Sequence, residues 1–355
     1  MPKKYSFFDE FNPIVTTDNN FDKILIQPDH VSRKRSDTFY VNEGEVLRTH
    51  TSAHQHGVIK SGEDAFCVLG DVYRKDEIDR SHYPAFHQME AVRHYKVQDL
   101  RELVRNEFSG MEINQEEMVQ NEAYLYFQDN TDLEENLKIV QLMVDDLKQT
   151  HEYLVKFLFD NADLQIRWNE DYFPFTEPSY EMEILWKDEW LEVLGSGIMH
   201  KDVLNFANVD SEENIGWASG IGLERFAILL FEVPDIRLFW SEDDRFIEQF
   251  EKGKITRFEP FSKYPACSKD VAFYLGDDVQ FEENDLHSLV REHGGDLIEE
   301  VKLIDYFENK KLGKISRCYR INYRSLERTL TNEEIDVIQF KIRDDMEEVL
   351  GYELR

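Results

Sequence analysis

The chain is short of several features that would point to particular classes of protein. It has three cysteines in 355 residues, Cys67, Cys267 and Cys318. Cysteines so widely scattered form neither a disulfide framework nor a paired zinc knuckle, and they suit a reducing compartment. No apolar run approaches the roughly 20 residues that a membrane span needs, so we expect no membrane partner. The first ten residues lack both a secretory apolar region and the arginine-rich pattern of a transit peptide.

Basic residues are also scarce, since 41 Lys and Arg stand against 73 Asp and Glu and give a net charge of −32. Nucleic acids normally bind to basic surfaces, so this balance argues at first against such a partner. The distribution weakens the argument, because residues 1–260 hold 27 basic and 52 acidic side chains whereas residues 261–355 hold 14 and 21. From Lys302 to Arg328, eight basic residues accompany three acidic ones. This basic stripe is either a solvated strand face or a phosphate-binding surface.

The chain does have enough hydrophobic sequence, 41% of its residues, for a large core and two domains. Helical apolar spacing at 137–147, within a strongly acidic stretch, predicts a helical insertion. Short apolar runs predict strands at Ala65–Leu69, Ala85–Met89, Tyr180–Ile184 and Trp190–Leu194. We therefore expect an α+β fold in which an antiparallel sheet has flanking helices.

The last hundred residues have a pattern of their own. The stretch Glu251–Arg257 lacks a periodic apolar face and Pro260 and Pro265 follow, which predicts a domain boundary near residues 243–262. Beyond it the pattern predicts, in order, a strand at 270–275, a helix at 283–293, strands at 297–307 and 316–324, a helix at 332–350 and a final strand at 352–355. This order is that of a ferredoxin-like, split βαβ unit.

One stretch indicates chemistry, Gly220-Ile-Gly-Leu-Glu-Arg225, which precedes the apolar run Phe226–Phe231. It predicts a glycine-lined helix start that carries an arginine. The free N–H groups of a first helical turn and a guanidinium both favour phosphate oxygens. Tight packing of the glycines is the alternative interpretation.

Blocks upstream make the interpretation specific. Tyr73-Arg74-Lys75-Asp76 and, after a loop, Phe86-His87-Gln88-Met89-Glu90 resemble motif 2 of the class II aminoacyl-tRNA synthetases, and Gly220–Arg225 resembles motif 3. Phe173–Ser179 and Leu191–Gly197 resemble the phenylalanyl-tRNA synthetase family. Phe261–Ala266 with Lys269-Asp270 resembles the start of that family's ferredoxin-fold anticodon-binding domain. The fusion is typical of the single-chain mitochondrial type, and the resemblance covers essentially the whole chain.

The resemblance implies a class II catalytic domain at 1–242 with a helical insertion at about 98–160, a linker at 243–260 and an anticodon-binding domain at 261–355. It implies activation of L-phenylalanine by ATP to phenylalanyl-adenylate and pyrophosphate, with Mg²⁺, and transfer to the 3′ end of tRNA-Phe. It also implies a monomer in the mitochondrial matrix. Because no transit pattern is visible, a cytoplasmic location stays open.

The resemblance also assigns site residues. Arg74 and Arg225 would be catalytic, because they would neutralise charge on the phosphates. ATP would bind to Arg74, Asp76, Ser81, His82, Tyr83, Phe86 and Arg225. Phenylalanine would bind to His50, Ser52, Ala53, His54, Gln55, Gln88, Glu90, Phe173, Phe175, Gly195, Gly197 and Ala218. Glu90 would supply the countercharge for the ammonium group, and Ala218 would close the para end of the ring pocket. Phe173 and Phe175, at i and i+2 on a strand, would turn both rings to one face.

Metal and tRNA contacts complete the expectations. Mg²⁺ takes oxygen ligands, which makes Glu192 and Glu177 candidates, although neither has a diagnostic spacing. In the basic stripe, arginines would bind tRNA phosphates while Tyr319 or Tyr323 stacks on bases. The residues assigned to tRNA are Lys310, Lys311, Lys314, Arg317, Tyr319, Arg320 and Arg324.

One departure from the family pattern is that Ser219 replaces a usual aromatic residue. Two other hypotheses stay open. In the first, the chain is a catalytically idle, synthetase-like protein that binds tRNA. In the second, it is another adenylate-forming amino-acid ligase.

Overall fold

The computed structural model of the chain describes residues 4–113, 133–260, 264–275, 280–309 and 313–355. The contacts between Cα atoms divide the chain into two compact units. The first unit consists of Met1–Arg33, Tyr40–Tyr73 and Phe86–Leu223, and the second of Lys34–Phe39, Arg74–Ala85 and Glu224–Arg355. The loop of motif 2 therefore belongs to the second unit.

The first unit is built on a seven-stranded sheet with the order β1-β4-β5-β9-β8-β7-β6. A small two-stranded sheet, β2-β3, accompanies it. The strands are β1 (Ser6–Phe8), β2 (Ile14–Thr16), β3 (Glu45–Leu47), β4 (Ala65–Tyr73), β5 (Ala85–Lys96), β6 (Ile166–Phe173), β7 (Thr176–Trp186), β8 (Glu189–Met199) and β9 (Asn214–Gly222). Strand β1 is parallel to β4, and the pairs from β5 through β9, β8 and β7 to β6 are antiparallel. The predicted antiparallel sheet is confirmed, because all four predicted strands lie within β4, β5, β7 and β8.

Helices lie around this sheet in the first unit, as predicted. They are α1 (Thr17–Asn20), α2 (Gln55–Lys60), α3 (Val97–Glu107), α4 (Leu133–Leu158) and α5 (Lys201–Phe206). Helix α4 contains the predicted spacing and turns Leu137, Val140, Met143 and Leu147 into a core that also contains Trp217 of β9. Among the described residues, no helix is both long enough and apolar enough to cross a membrane.

Strand β9 was not predicted, because it is packed on both faces. Trp217, Ser219 and Ile221 are 0 to 2% exposed and Ala218 on the opposite face is 7% exposed. A strand buried on both sides has no polar-apolar alternation for a sequence pattern to detect. The predicted helix start is confirmed, since Gly220 and Gly222 end this strand, the next helix begins at Leu223 and Arg225 lies in its first turn.

The second unit contains a four-stranded antiparallel sheet with the order β11-β12-β10-β13. Its strands are β10 (Cys267–Leu275), β11 (Ile298–Asn309), β12 (Lys314–Tyr323) and β13 (Tyr352–Leu354). The helices are α6 (Leu223–Phe231, in this unit from Glu224 onwards), α7 (Asp244–Ile247), α8 (Glu283–Gly294) and α9 (Asn332–Glu348). The order β10-α8-β11-β12-α9-β13 is the predicted ferredoxin-like one, which is confirmed.

Local chemistry explains the ends of two of these helices. Thr331 and Glu334 form a reciprocal capping box at the start of α9, satisfying backbone donors that a first helical turn leaves free. Gly295 follows α8 with φ of +50°, a conformation that side chains disfavour, so the helix stops there. The residue types at these positions explain why the predicted boundaries agree so closely with the observed ones.

Candidate active site

Two rows of residues cross the main sheet on one face, since residues paired in register point to the same side. The first row is Glu90, Gly220, Gly195 and Glu181, on β5, β9, β8 and β7. The second row, on the same four strands, is Val92, Ala218, Gly197 and Ser179. The two central strands carry only glycine and alanine in these rows. Neighbouring groups can therefore approach this strip of the sheet closely, and a Cβ atom at Gly220, Gly195 or Gly197 would lie 3.0 Å or less from Gln88, Phe173 or Thr176, respectively. We call the strip the small-residue trough, and side chains of β5 and β7 lie at its two ends.

Two phenylalanine rings lie together beside this trough. The ring centroids of Phe173 and Phe175 are 5.9 Å apart, and the ring planes are inclined by 10°. Phe175 packs against the hydrophobic cluster that contains Ala218. A Cβ atom added at Gly195 would lie 2.9 Å from Cζ of Phe173, so the glycine is needed for this ring position. The rings are together as predicted, but not on one strand, because Phe173 ends β6 and Phe175 lies in the turn before β7.

Glu90 is a buried carboxyl group at the β5 end of the first row. It is 3% exposed, and its Oε2 atom has no hydrogen-bond partner. Burial raises the pKa of Glu90 to about 8, against the opposing influence of the nearby Ser52 and Thr51 hydroxyls. A cation brought to this carboxyl would stabilise the ionised form that burial disfavours.

The segment from His50 to Gln55 lies beside Glu90 and is fixed at several points. The Thr51 backbone N–H donates to Oε1 of Gln88 at 3.2 Å, which sets the orientation of that side-chain amide. Arg48 Nη1 lies 3.0 Å from Nε2 of His54. Because arginine can only donate, Nε2 is the acceptor and His54 is neutral. Burial lowers the pKa of His54 to about 4, and the positive charge of Arg48 makes a smaller contribution in the same direction.

Two residues that position this segment were missed by the sequence interpretation. Asn20 exchanges two hydrogen bonds of 3.0 Å with Thr49, and Arg48 also donates to the backbone oxygens of Asp71 and Phe11. A signal for Arg48 was present. Gly70 lies inside strand β4, and a Cβ there would lie 2.1 Å from Nη2 of Arg48. A glycine inside a strand often marks such a close approach.

In the second unit, Arg74 and Arg225 lie close enough to influence each other electrostatically. Burial lowers the pKa of Arg74. The carboxylate of Asp76 raises this pKa in opposition, whereas the positive charge of Arg225 lowers it further. Arg225 is the third residue of α6, in the first turn of that helix. Two guanidinium groups with a helix start form an arrangement that suits an anion.

The loop of motif 2 is organised by Asp79, a third residue that the sequence interpretation missed. Its carboxylate accepts hydrogen bonds from the backbone and hydroxyl of Ser81 and from the backbone and Nδ1 of His82, at 2.6 to 2.8 Å. The bond to Asp79 raises the pKa of His82. The signal was the local Asp-x-Ser pattern, in which an aspartate caps the backbone two residues on.

The other residues assigned to ATP are placed as follows. Tyr83 donates to Asp296 at 2.8 Å, and its ring stacks on Trp240 with centroids 5.6 Å apart. Asp76 accepts the backbone N–H of Glu77. Arg291 donates to the backbone oxygens of Asp76 and Glu77, so the loop packs on α8 within the second unit. Phe86 lies in β5, in the first unit.

The two predicted metal ligands do not meet. Glu192 is the register partner of Glu183, which lies six residues from Glu177 along β7, or about 20 Å at the rise of a strand. At this separation they cannot bind the same ion, and each stays a separate candidate. Carboxyl groups do gather around Glu181, whose pKa is raised to about 7 by burial, by Glu192 and by Asp171. Elsewhere in the described ranges, ligand atoms of Glu77, Asp79 and His82 lie within 4.8 Å of one another.

Most described basic residues of the stripe are paired with carboxylates. Lys314 pairs with Glu353, Arg320 with Asp270 through two bonds of 2.8 Å, and Arg324 with Glu299 at 2.9 Å. Arg317 lies over the Phe281 ring at 4.2 Å. Lys310 and Lys311 lie outside the described residues.

The proposed stacking by tyrosines on β12 is wrong for the conformation described. Tyr319 is 1% exposed and donates to Glu283, and Tyr323 is 0% exposed and donates to Gln339. Alternate side chains of a strand point to opposite faces, and these two belong to the face that packs on the helices. Exposed aromatic rings are found instead on β11, where Tyr306 and Phe307 are 56% and 50% exposed.

Comparison with known proteins identifies the family. Residues 3–137 and 129–250 match the tRNA synthetases class II core domain (F), and residues 262–355 match the ferredoxin-fold anticodon binding domain. The mitochondrial phenylalanine–tRNA ligase of Dictyostelium discoideum is 45% identical over 99% of this chain and 80% of its own length. The chloroplastic/mitochondrial enzyme of Arabidopsis thaliana is 45% identical (99% and 73%), and the mitochondrial enzyme of Mus musculus is 44% identical (99% and 76%). The chain therefore belongs to the phenylalanine–tRNA ligases, a family of class II aminoacyl-tRNA synthetases with a fused ferredoxin-fold domain.

Proposed function

We propose that this chain activates L-phenylalanine with ATP and transfers it to the 3′ end of tRNA-Phe. The observation that carries the proposal is the small-residue trough, with the buried Glu90 at one end and the Phe173–Phe175 pair beside it. A flat aromatic side chain fits over glycine and alanine, where a larger residue would fill the space. The isolated carboxyl group suits the ammonium end of the same amino acid.

The amino acid would be recognised at both ends. Glu90 would bind the ammonium group with Ser52 beside it, while Gln88 and His50 border the same position. The phenyl ring would lie against Phe173 and Phe175, over Gly195 and Gly197, with its para carbon towards Ala218. Aromatic pairs add on the order of 0.5–1.5 kcal/mol beyond the burial of their area, so these rings would favour an aromatic over an aliphatic side chain.

In the activation step, the phenylalanine carboxylate attacks the α-phosphorus of ATP and pyrophosphate leaves. Both reactants are anions, so the main tasks are to position them and to neutralise charge as it develops. We assign Arg74 to the α-phosphate, Arg225 to the far end of the triphosphate and Phe86 to the adenine ring. The Asp79-ordered loop with Ser81, His82 and Tyr83 would border the nucleotide.

Mg²⁺ would neutralise phosphate charge when bound. The oxygen donors gathered around Glu181 fit its preference, and we assign Glu192 and Glu181 rather than Glu177 to it. Burial and mutual repulsion raise the pKa of Glu181, and a divalent cation beside the cluster would relieve that repulsion.

The domain assignment accompanies this function. Residues 1–242 would form the catalytic domain, 243–260 a linker and 261–355 the domain that binds the anticodon. The names of the relatives support a mitochondrial location, and we propose the matrix. We also propose that the chain acts as a monomer.

Phenylalanine-dependent exchange of labelled pyrophosphate into ATP tests the activation step. We expect exchange with phenylalanine, little with tyrosine, and subsequent charging of tRNA-Phe. Absence of exchange in a folded protein would indicate an idle tRNA-binding protein. Exchange without charging would indicate an adenylate-forming ligase with another acceptor.

A further inference from the structure

Helix α4 is attached to strand β9 at two points that flank one residue. The Trp217 indole Nε1 donates to Oδ2 of Asp146 at 2.8 Å, and the Ser219 hydroxyl lies 2.7 Å from Nε2 of His151. Asp146 and His151 are both on α4. Between the two attached residues lies Ala218, whose side chain faces the opposite side of the sheet, towards the small-residue trough.

The contact at Ser219 is a complete hydrogen-bond chain. His151 Nδ1 lies 2.7 Å from the Leu147 backbone oxygen, which can only accept. Burial lowers the pKa of His151 to about 4, so the ring is neutral, Nδ1 carries its one proton, Nε2 accepts and the Ser219 hydroxyl is the donor. His151 and Ser219 are 1% and 2% exposed, so neither has water as an alternative partner. Removal of one member leaves the other buried and unpaired, which disfavours the position that the pair holds.

The contact at Trp217 is tied to a second strand. Asp146 also accepts two bonds from Arg93 Nη1, at 2.9 and 3.1 Å, and one from the Tyr95 hydroxyl at 3.3 Å. Arg93 and Tyr95 lie on β5, five and seven residues after Gln88 on the same strand. Helix α4 thus fixes β9 from behind and joins it to the strand that carries Glu90.

We propose that His151 and Asp146 are positioning residues that set the depth of the phenylalanine pocket, acting through Ser219 and Trp217 on the backbone at Ala218. The inference rests on the proposed function, because it presumes that the ring lies in the trough. A rigid wall at Ala218 rejects a para substituent by steric overlap. If the backbone at Ala218 can move by a fraction of an ångström, the para substituent fits. An apolar pocket excludes such a substituent only by steric overlap.

A serine on the neighbouring strand provides a matched control. Ser196 is the register partner of Ser219 and is 3% exposed, but its hydroxyl donates to the Tyr180 backbone oxygen at 3.3 Å. Loss of this hydroxyl removes a buried hydrogen bond of the same sheet without touching the connection to α4.

The test compares pyrophosphate exchange with phenylalanine and with para-chlorophenylalanine in the full chain. We measure the ratio of the two kcat/KM values in the wild type, Ser219→Ala, His151→Leu and Ser196→Ala, with thermal unfolding to verify folding. Ser219→Ala and His151→Leu are expected to lower the preference for phenylalanine by about threefold or more, since one methylene-sized fit is worth about tenfold or more. Ser196→Ala is expected to retain the wild-type preference for phenylalanine.

Ala218→Gly separates this inference from the proposed function. If it lowers the preference while Ser219→Ala and His151→Leu do not, the pocket stands and the positioning role is overturned. If Ala218→Gly leaves the preference unchanged while the protein still activates phenylalanine, the ring does not lie at Ala218, and the inference is overturned while the proposed activity stands. If Ser196→Ala lowers the preference for phenylalanine as much as Ser219→Ala and His151→Leu do, general destabilisation explains the change, and the inference is also overturned.

Discussion

Among single residues, Glu90 shows how burial alone can prepare a group for its ligand. An exposed glutamate would be ionised at neutral pH, whereas burial raises the pKa of Glu90 to about 8. The free site then holds a neutral carboxyl group at pH 7, and binding of an ammonium group requires it to lose its proton.

We therefore expect the KM for phenylalanine to fall by up to about tenfold per pH unit as the pH rises towards 8, and to level above it. The KM for ATP should not follow. Steady-state pyrophosphate exchange between about pH 6.5 and pH 8.5 measures both. Glu90→Gln should raise the KM for phenylalanine and remove its pH dependence. A pH-dependent KM that persists in this variant would contradict the assignment.

The same pKa makes a prediction about stability. The raised pKa means that the folded state holds one more proton than the unfolded state between pH 4.5 and about 8. The contribution of Glu90 to the free energy of unfolding therefore decreases as the pH rises through this window. Glu90→Gln should be more stable than the wild type at pH 8, and the difference should shrink towards pH 5. Urea unfolding at both pH values measures it.

Gly195 tests the position of the aromatic pair. A Cβ atom at this residue would lie 2.9 Å from Cζ of Phe173, so Gly195→Ala should displace the ring and raise the KM for phenylalanine. Gly57→Ala is the matched control, because nothing lies within 4 Å of a Cβ there and the residue is in a helix. The control should keep the wild-type KM and gain about 0.5–1 kcal/mol of stability. An unchanged KM in Gly195→Ala would remove Phe173 from the pocket.

At the scale of elements, the loop of motif 2 depends on one carboxylate. Asp79 accepts four hydrogen bonds from Ser81 and His82. Asp79→Ala should loosen the loop and raise the KM for ATP, while the KM for phenylalanine stays the same. Asp79→Asn retains an acceptor and should have the smaller effect, since charged acceptors form the stronger bonds. Equal KM values for ATP in all three proteins would show that the loop order is irrelevant to the nucleotide.

At the scale of the whole molecule, the net charge of −32 is a source of self-repulsion. Salt screens such repulsion, so the melting temperature should rise between about 20 mM and about 300 mM NaCl, over which the Debye length shortens from about 20 Å to several ångströms. Differential scanning calorimetry measures the shift, with an uncharged osmolyte as the control. A melting temperature that falls with NaCl would mean that ion pairs such as Arg237–Asp235 outweigh the repulsion.

The ferredoxin-like part shows what local pattern predicts well. Its helices and strands were placed within a few residues, because Thr331, Gly295 and the alternating apolar positions act on their immediate neighbours. Strand β9 shows the opposite case. It is covered on both faces, and its burial comes from α4 and from residues such as Val92 that lie far away in sequence.

The sequence by itself determined the composition, the family motifs, most of the secondary structure and the residue types available for an aminoacyl-adenylate site. Only the tertiary structure decided which of them meet. It aligned Glu90 with Gly220 and Gly195, separated Glu177 from Glu192, buried Tyr319 and joined Asp146 and His151 to the strand of Ala218. The physical reason is that residue type and spacing act over a few neighbours along the chain. Strand register, burial and the pKa values that follow from burial depend on contacts between distant segments.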